Sequence, residues 1–329
     1  MSAGITGWGT ALPDRVLDNA ELAAKLGISE DWILERTGIH SRRIASESDS
    51  AASLAVRAGR AALERAGRVP DDLDMVIMAT STPNHQLPAT ASLVQNELGA
   101  GNAGAFDLNA ACAGFLVALA QASALVDSGM SERVLVCGAD LLSRVLDYTD
   151  KGSCILFGDG AGAVLVEKTA GDTRLGPFKI YSDGSKADLL LVPTGEPYMR
   201  MKGREVYRHA VAGMTASVRD ILSSAGMRVA DIDLLVAHQA NARIIEAVAA
   251  RLGLRAEQAM VNISRLGNTS AASIPLALAE AFDSGKLKQD DLVVVTAFGA
   301  GFVWGAGIVR WGAPMERDLG LVTAGGARV

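Results

Sequence analysis

Residues 66–80, AGRVPDDLDMVIMAT, align without a gap against residues 225–239, AGMRVADIDLLVAHQ. In each copy a helix-like stretch ends at Ala-Gly, a loop carries Asp-Leu-Asp or Asp-Ile-Asp, and an apolar run of strand type follows. The repetition continues downstream. Asp127-Ser128-Gly129 precedes RVLVCGAD (Arg133 to Asp140), and Asp283-Ser284-Gly285 precedes DLVVVTAFG (Asp291 to Gly299). Both copies close on a glycine-rich strand, GDGAGAVLVE (Gly158 to Glu167) and GFVWGAGIVRW (Gly301 to Trp311). Self-similarity at several separate places points to a duplicated α/β chain. Chance likeness between generic βα units, whose loops favour Asp and Gly, leaves a single doubly wound sheet as the alternative.

The runs MVIMAT, VLVCG, LLVAH and LVVVTAF are almost continuously apolar, as strands covered by helices on both faces must be. Helical patterns separate them, so five layers, α/β/α/β/α, are the economical arrangement. The pattern breaks at AGDTR, between Thr169 and Arg174, which places one half at 1–170 and the other at 171–312. From Ala313 the tail loses periodicity and gains glycine, so 313–329 is expected to be poorly ordered.

A chain of 329 residues that is 49% hydrophobic and 21% charged has the composition of a globular protein with a large core. Its net charge is −6 and its basic residues are scattered, which argues against nucleic acid or an anionic membrane as partner. The opening MSAGITGWGTALP lacks a basic then apolar leader pattern, so the cytoplasm is the expected compartment. Leu108 to Val126 is uncharged over nearly the length of a membrane span, but Asn109, Gln121, Ser123 and many alanines favour a helix buried within the protein. Three cysteines without a CxxC pair predict reduced thiols rather than a disulfide framework or a metal site.

Cys112 follows the strand AFDLN and precedes a long apolar helix, which places it at or near a helix N-terminus. Unpaired N–H groups and the helix dipole would favour a thiolate there and lower the thiol pKa. Small neighbours, Ala110, Ala111, Ala113 and Gly114, leave room for a carbonyl to approach. A buried, inert cysteine is the competing reading, and it suits Cys137 and Cys154, both inside strand patterns. Of four histidines, His238 alone ends a strand and leads into a helix, where α/β folds place active-site groups. Asn268, in SRLGNTSAAS, precedes an apolar helix and would otherwise serve as its cap.

AACAG, AHQAN and GNTSAAS, with RTGI, FGDGAGA and AFGAGFVWGAG, resemble the ketoacyl-acyl-carrier-protein synthase III family of condensing enzymes. The likeness is collinear from the N-terminus to about Gly312. It implies a thiolase-like fold and a reaction in two stages. Cys112 would take the acyl group from an acyl-CoA, and malonyl-acyl-carrier protein would then lose carbon dioxide to give the enolate that attacks it. His238 and Asn268 would donate to the enolate oxygen, and the backbone N–H groups of Cys112 and Ala300 would form a second oxyanion site. The family often has glycine where Ala300 stands, a difference that matters only if φ must be positive.

The resemblance also implies a CoA entrance at Trp32 and Arg36, with Lys151 where the family usually has arginine. Lysine offers no planar group to stack on adenine. Gly203 and Asn241 would line the pantetheine tunnel, Arg243 and Arg251 would meet an acidic carrier protein, and Leu87, often phenylalanine, would reach from a dimer partner to the acyl pocket. For Trp32 the alternative is helix packing, and for the two arginines an ordinary solvated face. No cofactor beyond the CoA and phosphopantetheine carriers is implied, and no metal. Three alternatives stand beside this one. A papain-like hydrolase shares the Cys, His, Asn order but lacks the CGSCW-like surround and would not show a βα duplication. A non-enzymatic carrier-binding relative would be expected to lose one of the three residues. A starter-unit ketosynthase or acyltransferase of polyketide or other specialised metabolism would keep all three.

Overall fold

A computed structural model describes residues 2–169 and 174–312. Up to Thr169 the elements are β1 (Ser2–Ala11), β2 (Arg15–Asp18), α1 (Asn19–Leu26), α2 (Glu30–Thr37), β3 (Ser41–Ile44), α3 (Ala51–Ala66), β4 (Met75–Ala79), α4 (Thr90–Leu98), β5 (Gly104–Leu108), α5 (Gly114–Ser128), β6 (Arg133–Leu141) and β7 (Asp159–Thr169). From Arg174 they are β8 (Arg174–Ser182), β9 (Leu190–Leu191), β10 (Arg200–Met201), α6 (Gly203–Ser224), β11 (Leu234–Ala237), α7 (Ala242–Leu252), α8 (Ile263–Leu266), α9 (Ser273–Asp283), β12 (Leu292–Gly299) and β13 (Val303–Arg310).

Two sheets carry the molecule, one ordered β1-β7-β6-β4-β5 and the other β11-β12-β13-β8. Beside β11, where β5 stands in the first sheet, Leu235 makes an isolated parallel bridge to Ala259. The correspondence extends to register. Met75 pairs with Val134 and Leu234 with Val293, so each partner recurs 159 residues later.

The repeated Asp-Leu/Ile-Asp now has a physical reason. The first aspartate accepts the N–H that opens a one-turn helix, Val69 to Asp72 at 3.0 Å and Arg228 to Asp231 at 2.8 Å. The second accepts the N–H at the start of the neighbouring strand, Arg133 to Asp74 at 2.9 Å and Leu292 to Asp233 at 2.8 Å. One motif therefore caps a turn and fixes a strand register, twice.

Helices α3 and α4 cover the outer face of the first sheet, α6 and α7 that of the second, and α5 and α9 lie between the sheets. The stretch Ala111–Ser128 is long and apolar enough to cross a membrane by composition. It is instead the central layer: Phe115, Ala118, Leu119, Ala122 and Val126 are fully buried in the core shared by both sheets. A helix covered on two sides has no polar face to show, which is why its sequence reads as a span. The break expected between the halves spans β7 and β8, but residues 170–173 and the tail 313–329 lie outside the described residues.

Candidate active site

Cys112 sits in a single 3-10 turn, Ala111–Ala113, between β5 and α5. The turn Ser270–Ala272 stands in the same relation to α9. Ala111 (φ 47°) and Ser270 (φ 51°) both adopt the left-handed conformation, uncommon for residues with a side chain. Each is braced by an asparagine two positions earlier: Asn109 Oδ1 accepts the Ala111 N–H at 3.1 Å, and Asn268 Oδ1 accepts the Ser270 N–H at 2.9 Å. The two turns meet at the thiol, where Ser270 Oγ donates to Cys112 Sγ at 3.3 Å.

That brace orients Asn268. Its oxygen is committed to Ser270, so its NH2 group faces the opposite way and, among the described residues, donates to none. The expected helix cap is not formed: neither α9 nor the 3-10 turn before it carries a side-chain cap, and Asn268 Oδ1 instead closes a local turn on Ser270 N–H that leaves the amide as a free donor. The backbone is pinned as well, with Asn268 N–H on Leu156 O at 2.8 Å and Gly158 N–H on Asn268 O at 3.0 Å.

His238 follows β11 and is 1% exposed. Its Nδ1 lies 2.6 Å from Ser273 Oγ, at the first residue of α9. Burial pushes its pKa down to about 3, so the ring is neutral. Ser273 Oγ also accepts the Gln239 N–H at 3.4 Å, an arrangement in which its hydrogen can serve Nδ1 and the ring proton sit on Nε2. Cys112, His238, Asn268 and Ser270 all line one cavity of about 720 Å³.

The expected lowering of the Cys112 pKa is overturned. The cysteine is 8% exposed, and burial, opposed by the Ser270 hydroxyl and reinforced by the Asp140 carboxylate, pushes the thiol up to about 12. Desolvation of the thiolate outweighs the favourable turn and helix end, so the resting site holds a neutral thiol. Cys137, as expected, is inert core inside β6, and its thiol is likewise pushed to about 12 by burial. Cys154 is also buried, packed in a small cluster with Leu22, Ile33 and Phe157, and all three thiols are free.

Neither the Cys112 nor the Ala300 N–H donates to another described residue, and both residues line the cavity. Ala300 does not have positive φ, so its methyl group costs the backbone nothing. The neighbouring glycine is the constrained one. A Cβ on Gly299 would lie 2.9 Å from Cys112 N, 2.8 Å from Ala113 N and 2.8 Å from Ala110 O. The end of β12 packs directly on the cysteine turn, and only glycine permits that approach.

From buried Cys112 the cavity opens past half-buried Trp32 and Asn241 towards exposed Arg36, Lys151, Gly203 and Arg243. The Arg36 guanidinium covers the Trp32 ring at 4.1 Å, while Lys151 Nζ stands 5.5 Å from it. Asn241 has both polar ends engaged, its oxygen with Arg243 N–H at 2.9 Å and its nitrogen with Arg36 O at 3.0 Å, so it ties α2 to α7. At Gly203 the nearest atom to an added Cβ is Met201 Cε at 3.8 Å, so space does not demand glycine there. Arg251 is exposed in the last turn of α7 and does not line the cavity. Leu87 is 87% exposed and lies outside this chain's own cavity.

Sequence reasoning missed Ser270, Ser273 and Asp140. The two serines lie inside GNTSAAS, and a left-handed residue following Asn-Thr was the available signal for Ser270. Ser273 and Asp140 act through partners 35 and 131 positions away, which no local pattern reveals.

Family models described as 3-oxoacyl-[acyl-carrier-protein (ACP)] synthase III and its C-terminal region match residues 106–184 and 222–311. The beta-ketoacyl-[acyl-carrier-protein] synthase III of Erythrobacter litoralis is 47% identical over 94% of this chain and 100% of the relative. The 3-oxoacyl-[acyl-carrier-protein] synthase III of Aquifex aeolicus superposes with a TM-score of 0.92 at 44% identity, covering 94% of this chain and 100% of that one. The priming beta-ketosynthase of the R1128 polyketide biosynthetic pathway superposes at 0.91 with 36% identity, covering 95% and 97%. With the paired turns, the buried Cys-His-Asn set and near-complete coverage in sequence and structure, the chain belongs to the beta-ketoacyl-[acyl-carrier-protein] synthase III family.

Proposed function

We propose that the chain condenses an acyl-CoA primer with malonyl-acyl-carrier protein and so initiates fatty acid synthesis, with Cys112 as the acyl carrier and His238 and Asn268 as the decarboxylation donors. The observation that carries this is the convergence of the three side chains on one cavity, with a neutral histidine and a free amide NH2 group. The Cys112 sulfur attacks the acyl carbonyl, the oxyanion rests on the Cys112 and Ala300 N–H groups, and the thiol proton leaves with CoA. Malonyl-carrier thioester enters next. Its C–C bond to the carboxylate breaks, and the electron pair forms an enolate whose oxygen accepts from His238 Nε2–H and Asn268 Nδ2–H. The enolate carbon then attacks the acyl-cysteine, the C–S bond breaks, and the thiolate regains a proton. Thioester activation and carbon dioxide loss supply the driving force, so the chemistry draws on no metal or ATP.

In this scheme residues 1–170 carry the nucleophile and 171–312 the enolate donors. Trp32, Arg36 and Lys151 receive the CoA head, Gly203 and Asn241 flank the pantetheine arm, and Arg243 and Arg251 meet the acidic carrier protein. The exposure of Leu87 fits a homodimer in which it closes the acyl pocket of the partner. Three unpaired thiols suit a reducing compartment, and we place the reaction in the cytoplasm. The starter-unit reading rests on the 36% match, weaker than the match to the synthase III relatives.

The test separates the half-reactions. In His238→Ala and Asn268→Ala, carbon dioxide release from malonyl-acyl-carrier protein is expected to fall on the order of 10²-fold or more while acylation of Cys112 by acyl-CoA persists. Unimpaired carbon dioxide release in both variants would refute the assignment.

A further inference from the structure

The end of β6 holds a carboxylate that the mechanism does not use. Asp140 is fully buried, and among the described residues no lysine or arginine pairs with it. Six donors converge on it instead. Its Oδ1 accepts from Ser81 N–H at 2.7 Å, Thr82 N–H at 3.2 Å and the hydroxyls of Thr80, Ser81 and Thr82 at 3.2, 3.0 and 3.1 Å. Its Oδ2 accepts the Ala271 N–H at 3.2 Å. Fixed backbone N–H groups face both oxygens, a donor set matched to an acceptor-only side chain.

The internal symmetry shows what this site corresponds to. At the 159-residue offset fixed by the Met75–Val134 and Leu234–Val293 pairs, Asp140 is the counterpart of Gly299, and Ala271 that of Cys112. At one junction between the halves the Cys112 N–H of the first looks onto the bare Cα of Gly299 of the second and stays free for substrate. At the symmetry-related junction the equivalent N–H, on Ala271 of the second half, is taken by the Asp140 carboxylate of the first.

We infer that Asp140 is a positioning residue: its carboxylate fills the symmetry-related counterpart of the oxyanion site, and thereby clamps the Asn268–Ala271 turn in the geometry that decarboxylation needs. The clamp joins three segments, the 80–82 loop, the end of β6 and the turn carrying Asn268 and Ser270. It also sets a negative charge near Cys112, one of the causes of its raised pKa. The other titratable group at the thiol is neutral His238, and the cations Arg36, Lys151, Arg204 and Arg243 line the exposed end of the cavity. Asp140 thus favours the second half-reaction by ordering the enolate donors, and its charge adds to the burial that already raises the thiol pKa.

This rests on the roles given above to Cys112, His238 and Asn268, and the experiment separates the two. In Asp140→Asn the amide oxygen keeps the 80–82 donors, whereas the NH2 group is turned against the Ala271 N–H and the charge is gone. Carbon dioxide release from malonyl-acyl-carrier protein should fall about 10²-fold, as for a displaced catalytic group. Alkylation of Cys112 by iodoacetamide at pH 8 should instead rise, because a charge that raises the thiol pKa is removed. Equal losses in both readouts, or no change in either, would overturn the proposal. Ser81→Ala provides a second variant, should the asparagine chain not fold: it removes one donor but leaves the charge, so alkylation should slow, and an unchanged rate would also overturn it. Failure of the underlying assignment looks different, since the unmutated chain would then take no acyl group on Cys112.

Discussion

Burial at His238 sets the pH range in which the site keeps its form. The folded chain holds this imidazole at a pKa of about 3 against an ordinary 6.5. Between those values the unfolded chain binds a proton that the folded chain refuses, so stability falls as pH drops through the window. At about pH 5 the loss reaches about 2 kcal/mol, at ~1.4 kcal/mol per unit. Urea denaturation at pH 7 and 5 should show that loss in the parent chain and a smaller one in His238→Gln; identical pH dependence would contradict the neutral buried ring. The residue types of the three proposed catalytic groups were legible because histidine is scarce and the motifs are distinctive. The protonation state of Cys112 was not. Its helix-end position is visible in sequence, but the depth of burial that reverses the expected shift depends on β12 and the turn at Ser270, more than 150 residues away.

Among the elements, the cysteine turn and the end of β12 form a close backbone junction at the site. A methyl group at Gly299 would press on backbone atoms at 2.8 and 2.9 Å, and no side-chain rotation relieves a backbone contact. Gly299→Ala is expected to cost about 1–3 kcal/mol by overpacking and to slow acylation of Cys112 through displacement of its N–H. Denaturant midpoints with acylation rates check both, and a fully active, fully stable variant would show that the junction yields. Strands and their order of appearance could be read from apolar runs, and the central helix α5 from its lack of a polar face. What the sequence could not supply was the partner of each turn. The Asn-x-left-handed brace occurs once as Asn109-Ala110-Ala111 and once as Asn268-Thr269-Ser270, and only the folded chain brings the two together.

At the scale of the molecule, duplication yields two copies of one framework that differ where chemistry requires it. Glycine at 299 leaves an N–H open, aspartate at 140 closes its counterpart, and cysteine at 112 answers alanine at 271. The repeat at 66–80 and 225–239 was legible because its aspartates perform the same two hydrogen-bonding tasks in each half. The functional differences between the copies were not, because they lie in single residues of ordinary type. The measurement that bears most directly on this account is intact-protein mass spectrometry after incubation with acetyl-, isobutyryl- or octanoyl-CoA, then with malonyl-acyl-carrier protein. Acceptance of groups beyond acetyl would agree with a pocket closed by Leu87 rather than phenylalanine, and strict acetyl preference would not. The predicted central result is one acyl group on Cys112, absent in Cys112→Ser and discharged as a ketoacyl-carrier product; an adduct on Cys137 or Cys154, or one that malonyl-carrier protein fails to discharge, would contradict it.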